Sequence, residues 1–138
     1  MEKTKKSLYI VIIGCGRLGS HLANILSKKG HSTVIVDNSI DSFEKLDSTE
    51  FSGFRIEGDA TELSVLKEAK INKADVVIGV TESDNINIMI GQIAKNTFSV
   101  KSVLVRIQDQ NKIPFLNKLK LDYVCTTEQT ATEILSRI

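Results

Sequence analysis

The stretch from Leu8 to Asp37 constrains the fold of this chain more than any other. An apolar run, Leu8-Tyr9-Ile10-Val11-Ile12-Ile13, passes directly into Gly14-Cys15-Gly16-Arg17-Leu18-Gly19, and a second run, Thr33-Val34-Ile35-Val36, ends on Asp37. Strand, glycine turn, helix, strand and terminal acid, in this order and spacing, make a βαβ unit of the dinucleotide-binding type. Gly14 permits the tight turn off the strand, Gly16 carries no Cβ to obstruct a phosphate, and Gly19 lets the helix close on the sheet. The first-turn amides of that helix lack partners within it, and its dipole is positive at that end, so a diphosphate satisfies both. A carboxylate at Asp37, with Asn38 beside it, can accept both ribose hydroxyls and repels a 2′-phosphate. The unit therefore favours NAD or an adenine nucleotide over NADP.

The remainder alternates strand-like and helical runs. Strands are expected at Leu8–Ile13, Thr33–Val36, Phe54–Glu57, Asp75–Val80, Ser102–Ile107 and Tyr123–Cys125. Helices are expected at Leu18–Lys29, Ile40–Thr49, Glu62–Ala69, Asn85–Thr97, Gln110–Leu119 and Thr127–Ile138. Val76-Val77-Ile78-Gly79-Val80 is apolar on successive positions, as befits a parallel strand covered on both faces. Ile86, Met89, Ile90, Ile93 and Ala94 instead form one helical stripe. Pro114 falls early in the fifth helix, where a missing N–H costs little. The economical architecture is an α/β, Rossmann-like, doubly wound parallel sheet of six strands in order 3-2-1-4-5-6, one domain over residues 1–138.

With 138 residues, 41% of them hydrophobic and 25% charged, the chain has the makeup of a globular domain with a substantial core. Eighteen basic and seventeen acidic residues are interspersed, for a formal charge of +1, so no basic face for nucleic acid or an anionic membrane is expected. The basic opening, residues 1–6, precedes an apolar run too short for a signal-peptide core or a membrane span. Cys15 and Cys125 lack ligand or CxxC spacing and are read as reduced thiols of a cytoplasmic protein. His21 and His31 lack the partners of a metal ligand or a general base.

Ligands of such a sheet lie beyond the carboxyl ends of its strands. The sequence puts polar residues there: Gly58-Asp59-Ala60-Thr61, Thr81-Glu82-Ser83-Asp84-Asn85, Arg106, and Thr126-Thr127-Glu128-Gln129. Helix capping explains part of this set, with Thr61, Ser83 or Asp84 as caps and Thr126 with Gln129 as a capping box. It leaves Asp59 and Arg106 without a reason.

These residues together resemble the N-terminal nucleotide-binding domain of the RCK/KTN family, regulators of potassium channels and of Trk and Ktr potassium uptake. The similarity rests on Gly14 to Gly19, Gly30-His31, Asp37, Gly58-Asp59-Ala60-Thr61, Asp75, Asn85-Ile86-Asn87 and Arg106, and spans essentially the whole chain. The resemblance implies that Gly14, Cys15, Gly16, Arg17, Leu18 and Gly19 cradle phosphates, that Asp37 holds the ribose, that Asn38 belongs to the same cofactor site, and that Asp59 and Ala60 face adenine. Thr81 would line the same site, with Arg17 and Arg106 near phosphate oxygens. It further implies NAD(H) or ATP/ADP as ligand, a transmembrane potassium transporter or channel subunit as partner, and a homodimer or larger ring built through the sixth helix. Some members bind a divalent cation through a glutamate after strand six, a position held here by Glu128; the first-turn dipole alone also favours an acid there. The family's C-terminal regulatory domain is absent from the chain as read.

A nicotinamide dehydrogenase lacking its substrate domain is the competing class. It would share the glycine turn and Asp37, yet no acid–base pair or nucleophile stands out, and neither Tyr9 nor Tyr123 is followed by lysine four residues on. The sequence is therefore read as a non-catalytic regulator, cytoplasmic and peripheral to the membrane through its partner. An apolar stripe at Ala131, Ile134, Leu135 and Ile138 adds the expectation of self-association.

Overall fold

The structure, a computed structural model, describes residues 6–138, so most of the basic opening segment lies outside the described residues. Six strands form one sheet in the order β3-β2-β1-β4-β5-β6. They are β1 (Tyr9–Ile13), β2 (Ser32–Asp37), β3 (Phe54–Glu57), β4 (Val76–Gly79), β5 (Ser102–Ile107) and β6 (Tyr123–Cys125), and every pairing is parallel. The helices are α1 (Arg17–Lys28), α2 (Leu63–Glu68), α3 (Asp84–Gln92), α4 (Ile113–Leu119) and α5 (Thr126–Leu135). The architecture is the one expected from the sequence.

Alternation along β1 explains why both faces must be covered. Ile10 and Ile12 pack with Ile35, Leu46 and Phe51 under α1, whereas Val11 and Ile13 pack with Leu66, Ile90 and Leu116 under α2, α3 and α4. Helix α1 ends in a glycine-dependent turn: Gly30 has φ +92°, its N–H donates to Ser27 O, and His31 N–H donates to Leu26 O. Asp75 does not open β4. It sits before the strand, where its carboxylate accepts the Tyr9 N–H at 2.8 Å and its own N–H donates to Tyr9 O.

The second expected helix is absent as an α-helix. Ile40–Lys45 forms a 3₁₀ turn, and the chain continues through Asp47 and Thr49 in turns. Side chains there compete for the backbone: Ser42 Oγ donates to Ser39 O, and Asp47 Oδ1 accepts the Thr49 N–H at 2.7 Å. Leu46 and Phe51 are buried, so this irregular connection still contributes apolar side chains to the core. Helix α3 spans its expected region only with a change of pitch, passing into a wider π-type turn over Ile93–Thr97.

Candidate functional site

At the carboxyl ends of the strands lies a cleft of about 890 Å³. The glycine turn and the start of α1 form its floor, the β2 and β3 loops one flank, and the β4 and β5 ends the other. Of the residues expected to meet a ligand, Gly14, Cys15, Gly16, Arg17, Leu18, Asp37, Asn38, Asp59, Ala60, Thr81 and Arg106 all line it. Gly19 lies beneath the turn, and Glu128 stands exposed at the start of α5, away from this lining.

The glycines of the turn answer to different demands. Gly14 has φ +108°, and a Cβ there would come within 2.8 Å of Thr81 N and Val80 O. A Cβ on Gly19 would sit 1.8 Å from Gly14 O. The fold itself forbids side chains at both places. Gly16 has φ −80° and ψ −161°, backbone that any residue adopts, and a Cβ there would meet nothing within 4 Å. No packing need among the described residues explains glycine at this position. Helix α1 has no side-chain cap and no acid in its first turn, so its leading amides open on the cleft unneutralised. A diphosphate fits this arrangement: a bare backbone, free N–H groups and the positive end of a helix.

Asp37 has two occupations. Its Oδ2 accepts the Cys15 N–H and its Oδ1 accepts the Ser39 N–H, each at 2.8 Å. Each oxygen keeps further acceptor capacity for a ribose hydroxyl. The Cys15 side chain points away from the cleft into the core, donating to Ser42 O at 3.4 Å. Burial first, and the Asp37 charge second, push its thiol pKa up, so the sulfur is protonated and quiet at neutral pH.

Asp59, which capping left without a reason, forms its own turn. Its Oδ1 accepts the Thr61 N–H at 2.8 Å and the Thr61 hydroxyl at 2.7 Å, and these bonds lower its pKa. Thr61 is therefore not the cap of α2; Glu62 holds that place without a side-chain bond. Ser83 does cap α3, its Oγ accepting from Ile86 N. No capping box forms at α5: the helix begins at Thr126 itself, so the N-cap is Cys125, which makes no side-chain cap bond; the neighbouring Thr127 Oγ1 donates to Gln108 O.

On the far flank, Arg106 Nη2 donates to Thr81 O at 2.9 Å and Val80 O at 3.2 Å. Asn87, fully buried on α3, bonds to both Thr81 and Arg106. Sequence reasoning gave it no role, although an amide on the face that also carries Ile90 and Ala94 was the available signal. Lys45 and Gln108 also reach the cleft. Lys45 was hidden by the mistaken helix, and Gln108 carried no signal. Among the described residues no three His, Cys, Asp or Glu side chains gather as a metal site, and no helix is long and apolar enough to cross a membrane.

The family profile of the TrkA-N domain matches residues 10–127. The Trk system potassium uptake protein TrkA of Streptomyces coelicolor is 36% identical over 131 residues, covering 95% of this chain and 58% of that protein. A TrkA homologue of Pyrococcus abyssi is 32% identical over 135 residues, covering 94% of this chain and 59% of that protein. The chain thus spans under two thirds of the length of either relative. Among solved structures, the TrkA-N domain of inner membrane protein ybaL from Escherichia coli superposes with a TM-score of 0.82 at 15% identity, covering 98% of this chain and 99% of that one. The GsuK channel bound to NAD gives 0.77 at 23% identity over 98% of this chain and 24% of that one. GsuK bound to ADP gives 0.74 at 24% identity over 94% of this chain and 33% of that one. These structural likenesses establish the shared fold.

Proposed function

The chain belongs to the TrkA-N domain family, and from that premise we propose that it is a nucleotide-sensing regulatory domain of a potassium-uptake system or channel. It binds an adenine nucleotide, NAD(H) or ATP/ADP, and reports its presence to a transmembrane partner without consuming it. The observation that carries this reading is Gly16: a position where the fold tolerates a side chain has none, directly over the open N-terminus of α1. The names of the relatives support the potassium-transport setting, and NAD and ADP in GsuK support the ligand class. The protein works on the cytoplasmic side, as a homodimer or larger ring. Glu128 is available to a divalent cation only if a second copy brings further ligands beside it.

The glycine turn supports the reading that a bound nucleoside triphosphate is not hydrolysed. Gly14 to Gly19 lacks the Gly-Lys-Ser/Thr that poises a lysine and a hydroxyl for magnesium and a γ-phosphate.

Titration calorimetry with ADP and NADH on wild type, Gly16→Ala and Gly19→Ala tests the reading. Gly16→Ala should keep its stability within about 1 kcal/mol, since a weaker cap and a stiffer unfolded chain oppose each other. It should nevertheless lose roughly tenfold or more in affinity, about 1.4 kcal/mol. Gly19→Ala should lose fold stability first. Wild-type protein that binds neither nucleotide, or that turns one over steadily, sinks the proposal.

A further inference from the structure

Asn87 is fully buried on α3 beside Ile90, Gly91 and Ala94, in surroundings that penalise any unpaired amide atom. Every polar atom of its side chain is paired. Oδ1 accepts the Thr81 N–H at 2.8 Å and the Thr81 hydroxyl at 2.7 Å, while Nδ2 donates to Thr81 O at 3.0 Å and Arg106 O at 2.9 Å. Arg106 closes the ring by donating Nη2 to that same Thr81 O at 2.9 Å. Asn87, Thr81 and Arg106 thus clasp the carboxyl ends of β4 and β5 together, with the clasp anchored in a helix that faces the core.

The guanidinium at the rim of this clasp is not used up by the protein. Among the described residues no carboxylate lies within ion-pair distance of Arg106, and its Nε is shielded from solvent without a hydrogen-bond partner. A clasp needed only for packing would be served by an uncharged residue, because an unpaired buried donor on a charged group is costly. The cation and its remaining donors are therefore held for an acceptor that is not part of this chain, and the cleft they line also receives the open end of α1.

We propose that Asn87 is the positioning residue for anion recognition: without touching the ligand, it fixes the Thr81–Arg106 pair so that the guanidinium meets phosphate oxygens. This rests on the nucleotide reading above. It makes α3 responsive to phosphate, since the amide that feels any shift of Arg106 belongs to that helix.

The test is an NMR titration of ¹⁵N-labelled protein with ADP and, separately, with adenosine. In wild type the Asn87 side-chain amide signal should move with ADP and stay in place with adenosine. Asn87→Ala should weaken ADP roughly tenfold and adenosine by less than about twofold, and in an Arg106→Gln background it should weaken ADP by less than about twofold further. Equal losses for both ligands, or losses that add independently of Arg106, would make Asn87 a structural residue only and overturn the proposal. Should Asn87→Ala fail to fold, the wild-type spectrum decides, and an Asn87 signal indifferent to saturating ADP overturns it. Wild-type protein that binds neither compound is a separate outcome, which removes the nucleotide reading and this proposal with it.

Discussion

The carboxylate of Asp37 accepts the amide proton of Cys15 at 2.8 Å, so the group placed to bind ribose is also a strut of the glycine turn. Substituting it must therefore act twice. Hydrogen bonds to a charged group are worth about 1.5–3 kcal/mol each. Asp37→Ala should lower the stability of the ligand-free protein by roughly that amount, seen as a reduced Tm, and weaken ADP by a similar amount in calorimetry. A fall in Tm with unchanged affinity would confine Asp37 to the turn and move the ribose contact elsewhere. The opposite split would mean that the Cys15 and Ser39 amides find other acceptors.

Acid should find Asp59 late. Its bonds from Thr61, the hydroxyl first and the backbone N–H second, hold its pKa below the ordinary 3.8. A carboxylate whose folded pKa is depressed adds stability above its unfolded pKa and gives it up as pH falls through the folded value. The contribution is thus intact at neutral pH and disappears only below about 3.8. Thr61→Val removes the larger of the two causes, so the Asp59 carboxyl should titrate at higher pH, followed by the carbon chemical shift of that group. A titration curve unmoved by the substitution would show that the turn does not govern the Asp59 charge.

Lys120 occupies the left-handed region at φ 54° and ψ 39°, directly after α4, where helices commonly end on glycine. A side chain in that conformation costs roughly 1–2 kcal/mol, partly offset by the extra freedom glycine has when unfolded. Lys120→Gly should therefore stabilise the protein by up to about 1 kcal/mol and raise Tm by a few degrees. The backbone carbonyl that accepts from Lys95 Nζ is retained, so no partner is lost. A lower Tm would show that the Lys120 side chain contributes packing that outweighs its backbone strain.

What could be read from the sequence follows from the range of the interactions involved. The six strands and the floor of the cleft are encoded locally: apolar runs fix the strands, and the glycine turn with Asp37 fixes the site between β1 and β2. The stretch from Ile40 to Thr49 misled because Ser42 and Asp47 decided against the helix through bonds to nearby backbone. The bond made by Thr127 lay out of reach of the sequence for the opposite reason. Its hydroxyl serves Gln108, a residue that only the folded sheet brings near, and no local rule anticipates such a partner. Asn87 belongs with Thr127 in part: three of its four bonds go to nearby Thr81, but the fourth goes to Arg106 O, which folding delivers from a neighbouring strand.

Helix α5 leaves a face uncovered, and this leads to the last prediction. None of its residues is buried, and Ile134 and Leu135 are 56% and 69% exposed, so the apolar stripe does not pack on its own domain. On the α1 side of the sheet Leu104 and Val124 are only half-buried, because α1 covers β1 and β2 but not the β5–β6 edge. Two uncovered apolar surfaces on one chain are satisfied together when a second copy supplies the missing cover, and a twofold arrangement does so reciprocally. Sedimentation at micromolar concentrations should therefore report at least a dimer. The double substitution Ile134→Asp with Leu135→Asp should shift it toward monomer while far-ultraviolet circular dichroism stays unchanged, since neither side chain holds its own fold together. Wild-type protein that sediments as a monomer throughout that range would show that the α5 stripe does not join copies of this chain.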